Sequence, residues 1–115
     1  MIGERQIQEI LTQYKKHGWN LRRVLLSEPI EERLATALFG QTEIVSSGVN
    51  ALWFSRASYE GRETWELRCL SETPFALVEV FETEDEEAVR DEAREEMETR
   101  MSEQASKLRG RKVAG

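Results

Sequence analysis

VNALWFSRASYEGRETWELRCLSETPFALVEVFE, residues 49–82, is the stretch whose reading decides the fold. Aromatic and β-branched residues recur through it, and two turn signals, Glu60-Gly61 and Thr73-Pro74, cut it into three runs. Val49 to Tyr59, Glu63 to Ser71 and Phe75 to Glu82 therefore read as an antiparallel β-meander. In the middle run Trp65, Leu67 and Cys69 alternate with Glu66 and Arg68, so one face is core and the other is mixed. Matching the apolar positions across the runs assigns Leu52, Phe54, Leu67, Cys69, Val78 and Val80 to a single buried face.

Register follows from the assumed turns. An even-length loop centred on Glu60-Gly61 sets Trp53 opposite Arg68 and Ser55 opposite Glu66. A turn through residues 72–75 sets Arg68 opposite Glu79 and Leu70 opposite Leu77. The outer face then carries a row Trp53–Arg68–Glu79, flanked by Leu70, Leu77 and Phe81. Cross-strand charge and cation–π pairs are ordinary sheet stabilisers. A face that also holds a Trp, a Phe and two Leu is of the kind that a helix or a partner covers, which makes it the candidate partner or ligand surface.

Upstream of residue 49 the period changes. Ile7, Ile10, Leu11 and Tyr14 share one face of a helix over residues 3–17, with Lys15, Lys16 and His17 in its last turn and Gly18 as its stop. Trp19 to Leu26 reads as a strand. Ser27 caps a second helix over about residues 28–39, with Pro29 in the first turn and Ile30, Leu34 and Leu38 as its stripe. Residues 42–46 suggest a short strand before the Ser46-Ser47-Gly48 turn.

Downstream, residues 84–109 form a long helix opened by a capping box of Thr83 and Glu86. Glu86–Arg90, Glu96–Arg100 and Glu103–Lys107 are i, i+4 pairs in the favourable order. Such a helix is a rod of about 39 Å. Its stripe of Val89, Ala93, Met97, Met101, Ala105 and Leu108 is narrow. The half through Met97 is expected to pack on the sheet, and Met101, Ala105 and Leu108 to fray or to meet a second copy. Residues 110–115 read as a flexible basic tail. The whole is a single α+β domain over residues 1–109: two N-terminal helices around a first strand, the meander, and the long C-terminal helix.

Composition bounds the function. The 115 residues hold 16 basic and 22 acidic side chains, a net charge of −6, which repels phosphate backbones and disfavours nucleic-acid binding. Lys107, Arg109, Arg111 and Lys112 form a basic tail, and they carry the third functional alternative, an accessory nucleic-acid factor. A single cysteine, Cys69, excludes an intramolecular disulfide and fits a reducing, cytoplasmic setting. No run has the length of a membrane span, and residues 1–9 lack a signal-peptide core.

Candidate chemistry is sparse. His17 is the only histidine and sits at a helix end, so neither a catalytic dyad nor a zinc site is expected. Cys69 is in phase with the core. Glu66-Leu67-Arg68 has the acid-x-base form of metal-dependent nucleases, and Glu79 stands on the neighbouring strand as a second acid, but both aspartates, Asp85 and Asp91, fall in the last helix and a basic groove is missing. Glu84-Asp85-Glu86-Glu87 lacks the glycine and alternating ligands of a calcium loop. No cofactor fingerprint occurs. The leading expectation is a non-catalytic protein-interaction or assembly domain that self-associates. The alternative is a small-molecule-binding or enzymatic domain using Arg68, Glu79 and Glu66.

Overall fold

The computed structural model describes residues 3–71 and 75–114, with side chains through Ala105. Helix α1 (Glu4–Lys16) leads into strand β1 (Asn20–Leu26), helix α2 (Glu32–Phe39) and the short strand β2 (Ile44–Ser46). Strands β3 (Ala51–Ala57), β4 (Arg62–Cys69) and β5 (Ala76–Glu82) form the meander, and helix α3 (Glu87–Ala114) follows. The strands make one sheet in the order β2-β1-β3-β4-β5. β1 pairs antiparallel with β3 and parallel with β2, so α2 is the crossover of a βαβ unit. The α+β class holds, with the meander enlarged to a five-stranded mixed sheet.

Both faces of the sheet are covered at its centre, which explains why Val24, Leu25 and Leu26 are all buried. On one face, Ile7, Ile10, Leu11 and Tyr14 of α1 and Phe39 of α2 pack on Val24, Leu26, Leu52, Phe54 and Leu70. On the other, Met97 and Met101 of α3 pack on Leu25, Ala51, Trp53, Trp65, Leu67, Cys69 and Phe81.

The expected single face is therefore split. Leu52 stands opposite Arg68, Trp53 opposite Leu67, and Ser55 opposite Trp65. Phe54 and Leu67 lie on opposite faces, contrary to the sequence expectation. The cause is the turn. Ser58 N donates to Arg62 O at 3.3 Å, leaving a three-residue loop, and Arg62 N donates to Tyr59 O at 2.9 Å. Gly61 takes φ +76°, the left-handed residue that three-residue hairpins need. An odd loop shifts the pairing by one residue, and one residue turns a strand over.

Val78 and Val80 are corrected for the same reason of phase. Leu67 pairs with Leu77, Glu66 with Val78 and Thr64 with Val80, so the odd residues of β5 face α3 and the even ones face the α1 side. Neither helix of that side covers them: Val78 is 54% exposed and Val80 51%.

Helix boundaries also move. α2 starts at Glu32 with Glu31 as its N-cap, not at Ser27, because the Ser27 N–H and hydroxyl both donate to Asn50 Oδ1, at 2.8 and 3.2 Å. α3 starts at Glu87, because Thr83 N is bonded to Gly61 O at 2.8 Å and Asp85 Oδ2 accepts from Glu82 N at 2.9 Å. Its backbone continues through Gly110 to Ala114. The Thr73-Pro74 turn lies outside the described residues.

Candidate functional site

The outer edge of the sheet is β5, which pairs with β4 alone. Cys69 N donates to Phe75 O at 3.0 Å and Thr83 N to Gly61 O at 2.8 Å, so the odd-numbered residues of β5 bond inward to β4. Alternation in an antiparallel ladder then turns the N–H and C=O of Ala76, Val78, Val80 and Glu82 toward the open edge. Glu82 is met locally: its N–H by Asp85, and its carbonyl by Arg90 Nη2 at 2.7 Å. Among the described residues, Ala76, Val78 and Val80 are left as an unpaired strand edge beside two exposed valines. The edge carries no Lys and no Pro, two of the residues that usually blunt such a strand, but Glu79 is exposed on its α3 side.

A groove of about 350 Å³ runs along the same edge between β5 and α3, lined by Phe75, Leu77, Arg100, Glu103 and Gln104. Helical phase places it. Met101 points into the sheet, and Glu98 on one flank of α3 accepts the Trp53 Nε1–H at 3.0 Å. Arg100 and Gln104 lie on the opposite flank, toward β5.

The row expected from sequence does not form. Trp53, Leu77, Glu79 and Phe81 are on the α3 face; Arg68, Glu66 and Leu70 are on the α1 face, with the sheet between them. Trp53 and Leu70 are buried, and Phe81 is in the core. Met101 has no exposed surface, Ala105 packs against the same core, and the Leu108 side chain lies outside the described residues. Leu77 is the member of the expected surface that lines the groove between β5 and α3.

Two polar clusters hold the helices to the sheet. The Tyr14 hydroxyl donates to Glu66 Oε2 while its ring stacks on Phe54 with centroids 4.0 Å apart. Burial, and then the Glu66 carboxylate, push the Tyr14 phenol well above its ordinary range. On the other face a register shift in β1 between Leu21 and Arg23 brings Arg22 and Arg23 together into a cleft of about 220 Å³ with Trp53, Trp65 and Arg94. Arg23 pairs with Glu43 at 3.1 Å, and Arg94 with Glu87 and Asp91. Among the described residues, the Nε atoms of Arg90 and Arg94 are buried without a hydrogen-bond partner, offset by ring contacts with Phe81 at 5.9 Å and Trp65 at 4.6 Å. The charges of this cleft are largely spent on one another, and it fastens the start of α3 to the sheet.

His17 is the exposed C-cap of α1, its carbonyl accepting from Arg56 Nη1 at 3.0 Å. Cys69 is a buried free thiol. Among the described residues, no group of three or more His, Cys, Asp or Glu is placed to hold a metal ion, and no helix is long and apolar enough to cross a membrane. No family model matches the chain, and neither does any curated protein or solved structure.

Proposed function

We propose that this domain is a protein-interaction module that takes an extended segment of another protein onto the open edge of β5. The observation that carries the reading is the alignment on one strand of unpaired backbone groups at Ala76, Val78 and Val80 with two half-exposed valine side chains. Strand addition uses both: main-chain hydrogen bonds supply affinity and alternate side chains supply specificity.

Charge decides what kind of segment fits. In the register that sets Val78 of one copy against Val80 of another, Glu79 meets Glu79, and like charges directly opposite destabilise a sheet. A net charge of −6 adds to that repulsion. The occupant is therefore a segment of a different protein, with Lys or Arg set against Glu79 and apolar residues set against the valines.

Selection of random peptides against the full chain, followed by amide chemical-shift mapping of the enriched sequences, tests this. The expected binders alternate apolar and basic residues and shift the amides of residues 76–82. Binders that instead shift α1 or the Arg22–Trp65 cleft would place the interaction elsewhere and overturn the reading.

A further inference from the structure

The groove between β5 and α3 points to a specificity pocket for that segment, and we infer that it receives one large apolar side chain of the incoming strand. The inference rests on the strand-addition reading above and adds what the partner must carry. A strand laid against β5 continues the alternation of β5 itself. Its residues opposite Val78 and Val80 point to the α1 side, and those opposite Leu77 and Glu79 point to the α3 side. The α3 side at the level of Leu77 is not flat. It is the mouth of the groove of about 350 Å³ lined on the β5 side by Phe75 and Leu77 and on the α3 side by Arg100, Glu103 and Gln104, so the floor is apolar and the wall polar.

The groove's chemistry selects the side chain. An aromatic or leucine side chain finds apolar contact on Phe75 and Leu77, and the volume admits it whole. Arg100 on the wall can lie over an aromatic face. One step along the partner the next α3-side residue meets Glu79, which is exposed and calls for a base. Read antiparallel to β5, the partner segment is thus apolar, basic, apolar, large apolar, opposite Val80, Glu79, Val78 and Leu77 in turn. Leu77 belongs both to the edge strand and to the groove lining, so one pose can combine backbone pairing with pocket filling.

The probe is a fluorescein-labelled peptide with Val-Lys-Val-Phe at its centre and Ser-Lys flanks, and three relatives with Leu, Ala or Glu in place of the Phe. Anisotropy titration of the full chain is expected to rank Phe and Leu about tenfold or more above Ala, with Glu weakest. Gln104→Trp fills the groove from a site outside the core. It should bring the Phe peptide down to the affinity of the Ala peptide and leave the Ala peptide unchanged. Equal binding of all four peptides, lost on Val78→Pro, would overturn the pocket while leaving the edge reading intact. Binding by none of the four would overturn this motif, and if the selection experiment also yields no binder at residues 76–82, the edge reading falls with it. Circular dichroism of each variant confirms that a lost signal is not lost fold.

Discussion

The Arg94 guanidinium lies 4.6 Å from the centroid of the Trp65 ring, with only 7% of the residue exposed, on a helix that also sets Arg90, Met97, Glu98 and Met101 against the sheet. Burial alone would disfavour its charge. The hydrogen bonds to Glu87 and Asp91 outweigh that cost, and Arg94 holds its proton more firmly than an ordinary arginine. Arg94→Ala uncovers the Trp65 ring and is expected to cost about 2–3 kcal/mol. Arg94→Lys keeps the charge but not the planar fork, and should fall between. Urea denaturation followed by tryptophan fluorescence measures both.

The phase of β5 makes two neighbouring prolines behave oppositely. Leu77 bonds inward to β4, so Leu77→Pro breaks the ladder and should cost about 3 kcal/mol or more. Val78 offers its N–H to the open edge, so Val78→Pro should melt within a few degrees of the wild type. A matched pair of thermal scans settles it; equal destabilisation by both would mean that the edge is not open.

Met101 was expected at a surface and is instead fully enclosed. Met101→Glu is therefore expected to unfold the domain, by about 3–5 kcal/mol, and not to dissociate a folded dimer. Hydrogen exchange offers a second measure. Amides of residues 97–105 should exchange only through the opening that also exposes β3 and β4.

Tyr14 predicts an alkaline limit. Its phenol titrates higher in the folded chain than the ordinary value of about 10 found when unfolded, so the native state favours the protonated form. That contribution is fully present below pH about 10 and is lost progressively as pH rises above it. The stability difference between wild type and Tyr14→Phe should be constant from pH 6 to 9 and shrink above about 10.

Gly61 is the residue on which the sheet's register turns. With φ at +76°, an alanine there adopts a left-handed conformation at a cost of about 1–2 kcal/mol. Gly61→Ala should lower stability by that amount and leave the pairing of Trp53 with Leu67 in place, as cross-strand nuclear Overhauser contacts would report.

The elements were legible because their periods are strong. The stripe Ile7, Ile10, Leu11 and Tyr14 and the alternation of Trp65, Leu67 and Cys69 each survive in the structure as buried faces. What misled was a stretch with no period to read. Ala51, Leu52, Trp53, Phe54 and Ser55 are all buried, since β3 is central and covered on both sides. Its composition therefore cannot say which residues share a face with Leu67. The choice fell to the turn, and Tyr59-Glu60-Gly61 fits a two-residue or a three-residue loop equally well by composition. The edge site was hidden for a related reason: Val78 and Val80 have the chemistry of a core, and only the reach of α1 and α2 leaves them bare.

α3 follows all five strands in the chain, yet its Ala93, Met97, Met101 and Ala105 cover the Trp53–Trp65 face of a sheet made wholly before them. During synthesis the strands leave the ribosome while their cover is still being built. Until α3 emerges, that face of tryptophan, leucine and phenylalanine has no intramolecular shelter and is a substrate for whatever chaperone waits at the exit. A nascent chain stalled before Glu87 would hold the sheet residues with half their core missing, and the domain would become native only once α3 has emerged to cover that face.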